Sequence, residues 1–330
     1  MKSFLKLSIL LAVIAIFALT STSAISADKE FVIIAKYIHP WFDVGAEGFN
    51  DAAKEIGGIK TRYVSPRGAS AEEQVKLMED VMAEKPAGIA IAVNTPEALK
   101  PVINEAMNMG IKVVTWDDTS IDSDQLMFFG TDNYSAGVAE GEVFAELMGD
   151  KGNYIIVCHE TVSSNTKERF RGIHEVLDKK SDLVQLVDEQ PTGVTPASAL
   201  TLIENLLSAH SDKVNGWVDT NLLGTIALHQ ALKERGVKPG EYKIVTWTLL
   251  PEIMKAIEDG YVQVSVRQNT YAMGYLACYG LELATQGLKP TKNFFSTGHT
   301  LATKENMSTV EEINRKKAPE MLKEMKKLWQ

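Results

Sequence analysis

Apolar positions along this chain follow two alternating rhythms. Short unbroken runs of β-branched and aromatic residues recur, and between them apolar residues return every three or four positions. Phe31-Val32-Ile33-Ile34-Ala35 predicts a buried strand, and a helix is expected from about Asp43 to Ile56. Ile59–Val64 predicts a second strand, and Ala71–Glu84 a helix with Val75, Met78 and Met82 on one face. Gly88–Val93 is a third strand. Thr95-Pro96-Glu97 then opens a helix with a cap and a first-turn proline, and Gly110 ends it before the strand Ile111–Thr115. After about Asn133 the rhythm restarts, with strands at Tyr154–Val157, Leu183–Val187, Gly216–Val218, Tyr242–Thr246 and Tyr261–Val266. Helices are expected near Thr166–Asp178, Pro196–Ser208, Leu223–Arg235 and Tyr271–Gln286. A charged terminal helix, Glu311–Gln330, has Met321, Met325 and Leu328 as its inner face. Strands apolar along their whole length, separated by helices, imply parallel sheets covered on both faces. The fold class is therefore α/β, with two doubly wound parallel-sheet lobes.

The first residues break this pattern. Lys2 and Lys6 precede an apolar run from Leu7 to Leu19, and small residues then offer cleavage after Ala24 or Ala27. This order describes a secretory signal peptide, residues 1–27, and an exported protein in a bacterial periplasm. The run is shorter than the roughly 20 apolar residues of a membrane span. No cysteine at the cleavage region is available for lipid attachment.

Composition narrows the partners. A formal charge of −9 argues against nucleic acid or anionic lipid. Cys158 and Cys278, far apart in sequence, read as two isolated buried thiols. The chain shows no dinucleotide or phosphate-loop glycine motif and no G-x-S-x-G elbow. Its six histidines lack metal-ligand spacing. No enzyme activity, cofactor or metal is expected.

Candidate chemistry gathers at the carboxyl ends of the strands, where open α/β sheets bind ligands. The first strand empties into Lys36-Tyr37-Ile38-His39-Pro40-Trp41-Phe42, a loop whose aromatics either form a stacking wall or bury against the next helix. The fourth empties into Trp116-Asp117-Asp118, and later strands into Asp219-Thr220-Asn221, Trp247-Thr248 and Arg267-Gln268-Asn269. Rings for sugar C–H faces, with carboxylates, an arginine and carboxamides for hydroxyls, together describe a sugar pocket.

His39-Pro40-Trp41-Phe42, Thr115-Trp116-Asp117, Thr131-Asp132-Asn133, Lys167-Glu168-Arg169-Phe170-Arg171-Gly172 and Glu204–His210, in that order, resemble the type I periplasmic sugar-binding proteins. The resemblance implies a three-strand hinge with crossings near Thr131, Gln268 and Phe295. It divides the chain into an N-terminal lobe, 28–131 plus 269–295, and a C-terminal lobe, 132–268 plus 296–330. It also implies closure over a monosaccharide or sugar-like polyol by a monomer that delivers it to an ABC permease. The alternative is a receptor for a sugar or furanosyl signal feeding a chemoreceptor or sensor kinase. Carried over position by position, the aromatic wall falls on Trp41, Phe42 and Trp247, and the hydroxyl-binding aspartate on Asp117. The helix-opening arginine falls on Arg169, the asparagine on Asn221 and the hinge glutamine on Gln268. Asp118, Thr248 and Val194 depart from the ribose-binding pattern. Lys36 with Thr115-Trp116-Asp117 is similar to the rhamnose- and autoinducer-two-binding branch. His39 and Thr131 complete the expected ligand-binding set.

Overall fold

The computed structural model describes residues 29–330 except 69 and 162, so the expected signal peptide lies outside the described residues. Each lobe is one sheet between two helical layers. In the first, strands run in the order β12-β5-β4-β3-β1-β2, all parallel. They are β1 Lys29–Ile34, β2 Ile59–Val64, β3 Gly88–Ile91, β4 Lys112–Trp116, β5 Phe128–Gly130 and β12 Phe294–Ser296. Strand alternation sends Phe31, Ile33, Val114 and Trp116 to one face and Val32, Ile34, Ile89 and Val113 to the other. Helices α1 (Pro40–Ile56) and α9 (Thr270–Thr285) cover the first face, and α2 (Ala71–Ala83) and α3 (Pro96–Asn108) the second.

The second sheet is ordered β13-β11-β10-β9-β6-β7, with β8 (Gln190–Pro191) also on β6. Its strands are β6 Gly152–Cys158, β7 Leu183–Gln185, β9 Gly216–Asp219, β10 Lys243–Trp247, β11 Val264–Gln268 and β13 His299–Ala302. Only β13 pairs antiparallel among these described strands. Helices α4 (Asn133–Met148) and α5 (Ser164–Leu177) pack one face. The other is packed by α6 (Pro196–His210), α7 (Leu223–Glu234) and α8 (Pro251–Glu258).

The chain passes between the sheets at three places: from β5 into α4, from β11 into α9, and from β12 into β13. The strands there are bound to one another, since Gln268 Nε2 donates to Thr131 Oγ1 at 3.1 Å and Thr297 N donates to Gly130 O at 2.8 Å. Cys158 and Cys278 are buried free thiols, one in each lobe.

Two features differ from the sequence reading. Helix α1 begins at Pro40, because His39 caps it by accepting from Trp41 N at 3.1 Å and proline suits the first helical position. Trp41 and Phe42 thus occupy a helical turn, not a loop. The terminal helix α10 (Val310–Lys326) is shared between the lobes instead of belonging wholly to the second. Val310 is in the second lobe's core, whereas Ala318, Leu322, Met325 and then Trp329 are in the first lobe's. Arg267 bonds Glu311 at one end, and Arg315 grips Glu47 of α1 through two bonds farther along.

The pair α1–α9 approaches as closely as backbones allow. A Cβ on Gly274 would fall 1.8 Å from the carbonyl oxygen of Gly45. Gly274→Ala should therefore lower unfolding stability by about 1–3 kcal/mol, read as a drop in urea midpoint with an unchanged slope.

Candidate functional site

Both lobes repeat one local design at the strand end nearest the cleft. Lys112-Val113-Val114-Thr115-Trp116-Asp117 in β4 is matched by Lys243-Ile244-Val245-Thr246-Trp247-Thr248 in β10. Asp117 and Thr248, the residues after the tryptophans, have φ of 63° and 73°. That left-handed region costs a non-glycine residue on the order of 1–3 kcal/mol. Each still donates its N–H to the next strand, Asp117 to Phe129 O and Thr248 to Val266 O. The chain therefore turns sharply at the cleft without leaving the sheet.

On the first lobe, Lys36 Nζ lies 3.0 Å from Asp117 Oδ2 and 3.2 Å from Asp118 Oδ2. Burial alone would weaken the ammonium, but Asp117 and Asp118 raise its pKa above the ordinary lysine value. Burial pushes the Asp117 carboxyl up, and Lys36 offsets part of that rise. Trp41 stacks on Trp116, with ring centroids 6.5 Å apart and planes 7° from parallel. Phe42, 2% exposed, sets its edge against Tyr37, Trp41 and Trp116.

On the second lobe, Arg169 is held at several points. Its Nε donates to Asn133 Oδ1 at 2.9 Å and its Nη1 to Thr220 O at 2.6 Å. Its Cζ lies 3.5 Å above the centroid of the Trp247 ring. Burial pulls its pKa down to about 10, against Glu140 and Asp117, so it is cationic at neutral pH. Gly137 and Gly172 let α4 meet α5 closely enough to bring this arginine in, since a Cβ on Gly137 would fall 2.3 Å from Arg169 O. Asp219 is spent on shaping its loop, accepting from the N–H groups of Asn221 and Thr225.

The lobes touch across the cleft. Ser164 Oγ donates to Asp118 Oδ1 at 2.9 Å, and Asn165 Nδ2 reaches Asp117 O at 3.5 Å. Asn133 Nδ2 donates to Asn165 Oδ1 at 2.9 Å, linking this contact to Arg169. An open cavity of about 310 Å³ between the lobes is bounded by Asp118, Thr131, Asn133, Ser164 and Asn165, among others. Lys36, Asp117 and Arg169 are not on its wall; they are buried against their partners.

The expected residues thus divide. Lys36, Asp117 and Asp118 form one charged group, and Gln268 and Thr131 meet at the hinge. Trp247 does not present an open aromatic wall: it is 1% exposed, with Arg169 over its ring. Val194 is 69% exposed, and the carboxamide oxygen of Asn221 accepts from Leu222 N. His39 is the cap of α1, and Thr248 is the strained turn. Asn133, Glu140, Ser164 and Asn165 were missed. They open or line α4 and α5, where polar residues look like ordinary caps, but the repeated Lys-x-Val-Thr-Trp stretch would have marked Trp247's neighbours for attention.

Two α/β lobes meeting across a polar cleft define a solute-binding class of protein. Residues 31–289 match the model of the family described as periplasmic binding protein domain. The chain belongs to the periplasmic binding protein family and, as a member, is a non-catalytic transport component of the periplasm. It is 22% identical, over 88% of its own length and 88% of the relative's, to the D-apiose import binding protein of Paraburkholderia graminis. It is 24% identical to the ribose import binding protein RbsB of Bacillus subtilis, over 80% of this chain and 85% of that one. Among solved structures, an ABC transporter solute-binding protein from Burkholderia graminis in complex with D-arabinose is 30% identical. It superposes with a TM-score of 0.81 over 86% of this chain and 98% of that one.

Lys36→Met leaves Asp117 and Asp118 buried together without their cation. Breaking such a pair costs about 3–5 kcal/mol. Because burial already raises the Asp117 carboxyl, protonation relieves the loss as pH falls. Urea midpoints of the variant and the parent should therefore differ more near pH 8 than near pH 5.

Proposed function

We propose that this protein captures an uncharged five-carbon sugar, or a polyol of similar size, between its lobes and delivers it to the permease of an ABC importer. The observation that carries the reading is that Asp117 on the first lobe and Arg169 on the second act on each other's charge across the cleft and are linked through Asn165 and Asn133. A sugar hydroxyl both donates and accepts, so a carboxylate and two cations contributed by the two lobes suit a ring of hydroxyls. The cations are balanced by Asp117, Asp118 and Asp219, which favours a neutral ligand over a sugar phosphate or acid. The names of several relatives point the same way, because apiose, ribose and arabinose are all pentoses. The half-exposed Trp41, stacked on Trp116, supplies the apolar wall from one lobe only.

Charge-assisted bonds contribute about 1.5–3 kcal/mol each, and a tenfold step in affinity is about 1.4 kcal/mol. Asp117→Ala and Arg169→Ala should each weaken sugar binding at least about tenfold, with the apoprotein still folded. A thermal-shift screen over pentoses and pentitols identifies the ligand, and calorimetry on the two variants tests the assignment. Parental affinity in both variants would end it.

A further inference from the structure

The repeated strand end makes the two indoles natural controls for each other. Trp116 Nε1 donates to a backbone carbonyl, Ile34 O, at 3.1 Å. Trp247 Nε1 instead donates to the carboxyl of Glu140 at 2.7 Å. Glu140 is fully buried, and its other oxygen, Oε1, has no hydrogen-bond partner. An unsatisfied carboxyl oxygen in the interior is expensive, and the first lobe shows that a neutral acceptor satisfies the same indole. What distinguishes the two rings is what rests on them: Trp41 on Trp116, and the Arg169 guanidinium on Trp247. A carboxyl therefore appears where the ring carries a cation. Negative charge at the indole N–H pushes electron density onto the ring and strengthens its attraction for a cation on its face.

We infer that Glu140 is a positioning residue for Arg169, acting through the Trp247 ring, and that its ionisation tunes how firmly the cleft presents that guanidinium to a neutral sugar. The effect on sugar rests on the cleft assignment above; the effect on Arg169 does not. Burial raises the Glu140 carboxyl to about 8. The charged groups acting on it are Arg169 from α5, which favours its ionisation, and Asp219 at the end of β9, which opposes it. Arg169 itself stays protonated to about 10. As pH rises through about 8, Glu140 ionises while Arg169 remains cationic, so the guanidinium is held more tightly and sugar affinity increases.

The test needs no sugar at first. In ¹⁵N-labelled protein, the Trp247 Nε1–H and Arg169 Nε–H resonances, assigned with Trp247→Phe and Arg169→Lys, are followed against pH. Both should move with one shared midpoint near the Glu140 value. Neither should show that step in Glu140→Gln, whose carboxamide still accepts from the indole. Should Glu140→Gln fail to fold, Trp247→Phe, which keeps a ring but lacks the N–H, should shrink the step at Arg169 to what direct charge–charge attraction leaves, and an undiminished step would overturn the part assigned to the ring. Calorimetry with D-xylose, D-ribose, D-arabinose and D-apiose then compares about pH 6.5 with about pH 9. The parent should bind its best sugar at least about threefold more tightly at the higher pH, and Glu140→Gln equally at both. Resonances that do not titrate, or an affinity step that survives in Glu140→Gln, would overturn the inference. An affinity flat with pH, while Arg169→Lys still weakens binding, overturns it and leaves the cleft assignment standing. If none of the four sugars binds, or Arg169→Lys binds as the parent does, the cleft assignment fails, and the resonances alone decide whether Glu140 positions Arg169.

Discussion

A parallel sheet covered on both faces has only one place for polar work. Phe31, Ile33, Val32 and Ile34 go alternately to the two helical layers, and the same holds for Ile155, Val157, Tyr154 and Ile156 in the second lobe. Side chains along such strands are committed to packing, so ligand chemistry is confined to the residues just beyond the carboxyl ends. The charged groups of the first lobe obey this. Lys36 and Asp117 follow β1 and β4, and Arg169 is carried to the ends of β9 and β10 by a helix packed against that sheet.

Confinement to strand ends places charges where water is scarce, and the cleft solves the problem by pairing. Lys36 takes two carboxylates, Asp118 takes Lys36 and Ser164, and Arg169 is divided among a carboxamide, a carbonyl and a ring. Each partner fixes the next in place, which limits how far the binding surface must reorganise around a ligand. Some of those partners come from the opposite lobe. Asp118 is neutralised by Lys36 and bonded by Thr119 N within its own lobe, and Ser164 adds a donor from the other side of the cleft.

The alternation of apolar runs and helical stripes carried the fold, since packing on both sheet faces leaves a strong periodic imprint. The polar loops at the strand ends marked the candidate cleft. What was not legible depends on side-chain direction. Trp41, Phe42 and Trp247 are all aromatics near strand ends, yet one is half-exposed and two are buried. Whether a ring faces a cleft or a guanidinium is decided by a helix far along the chain. Ser164 and Asn165 stand just before the expected helix at Thr166, and only the juxtaposition of lobes turns them into partners of Asp118 and Asp117. The division of the C-terminal segment escaped for a related reason: a helix with one apolar stripe does not say whose core it enters.

That segment constrains how the molecule moves. Helix α10 is rooted in one lobe at Val310 and in the other from Ala318 onward. An α-helix resists stretching, because lengthening it breaks its hydrogen bonds, while it tolerates bending and pivoting at its ends. Pro319 lies within the part seated on the first lobe and removes one of those bonds just past the boundary. The lobes are therefore linked by a strut of fixed length with a weak point at one end. They are free to swing about it but not to draw apart along it, so the opening of the cleft is a rotation with a nearly fixed pivot.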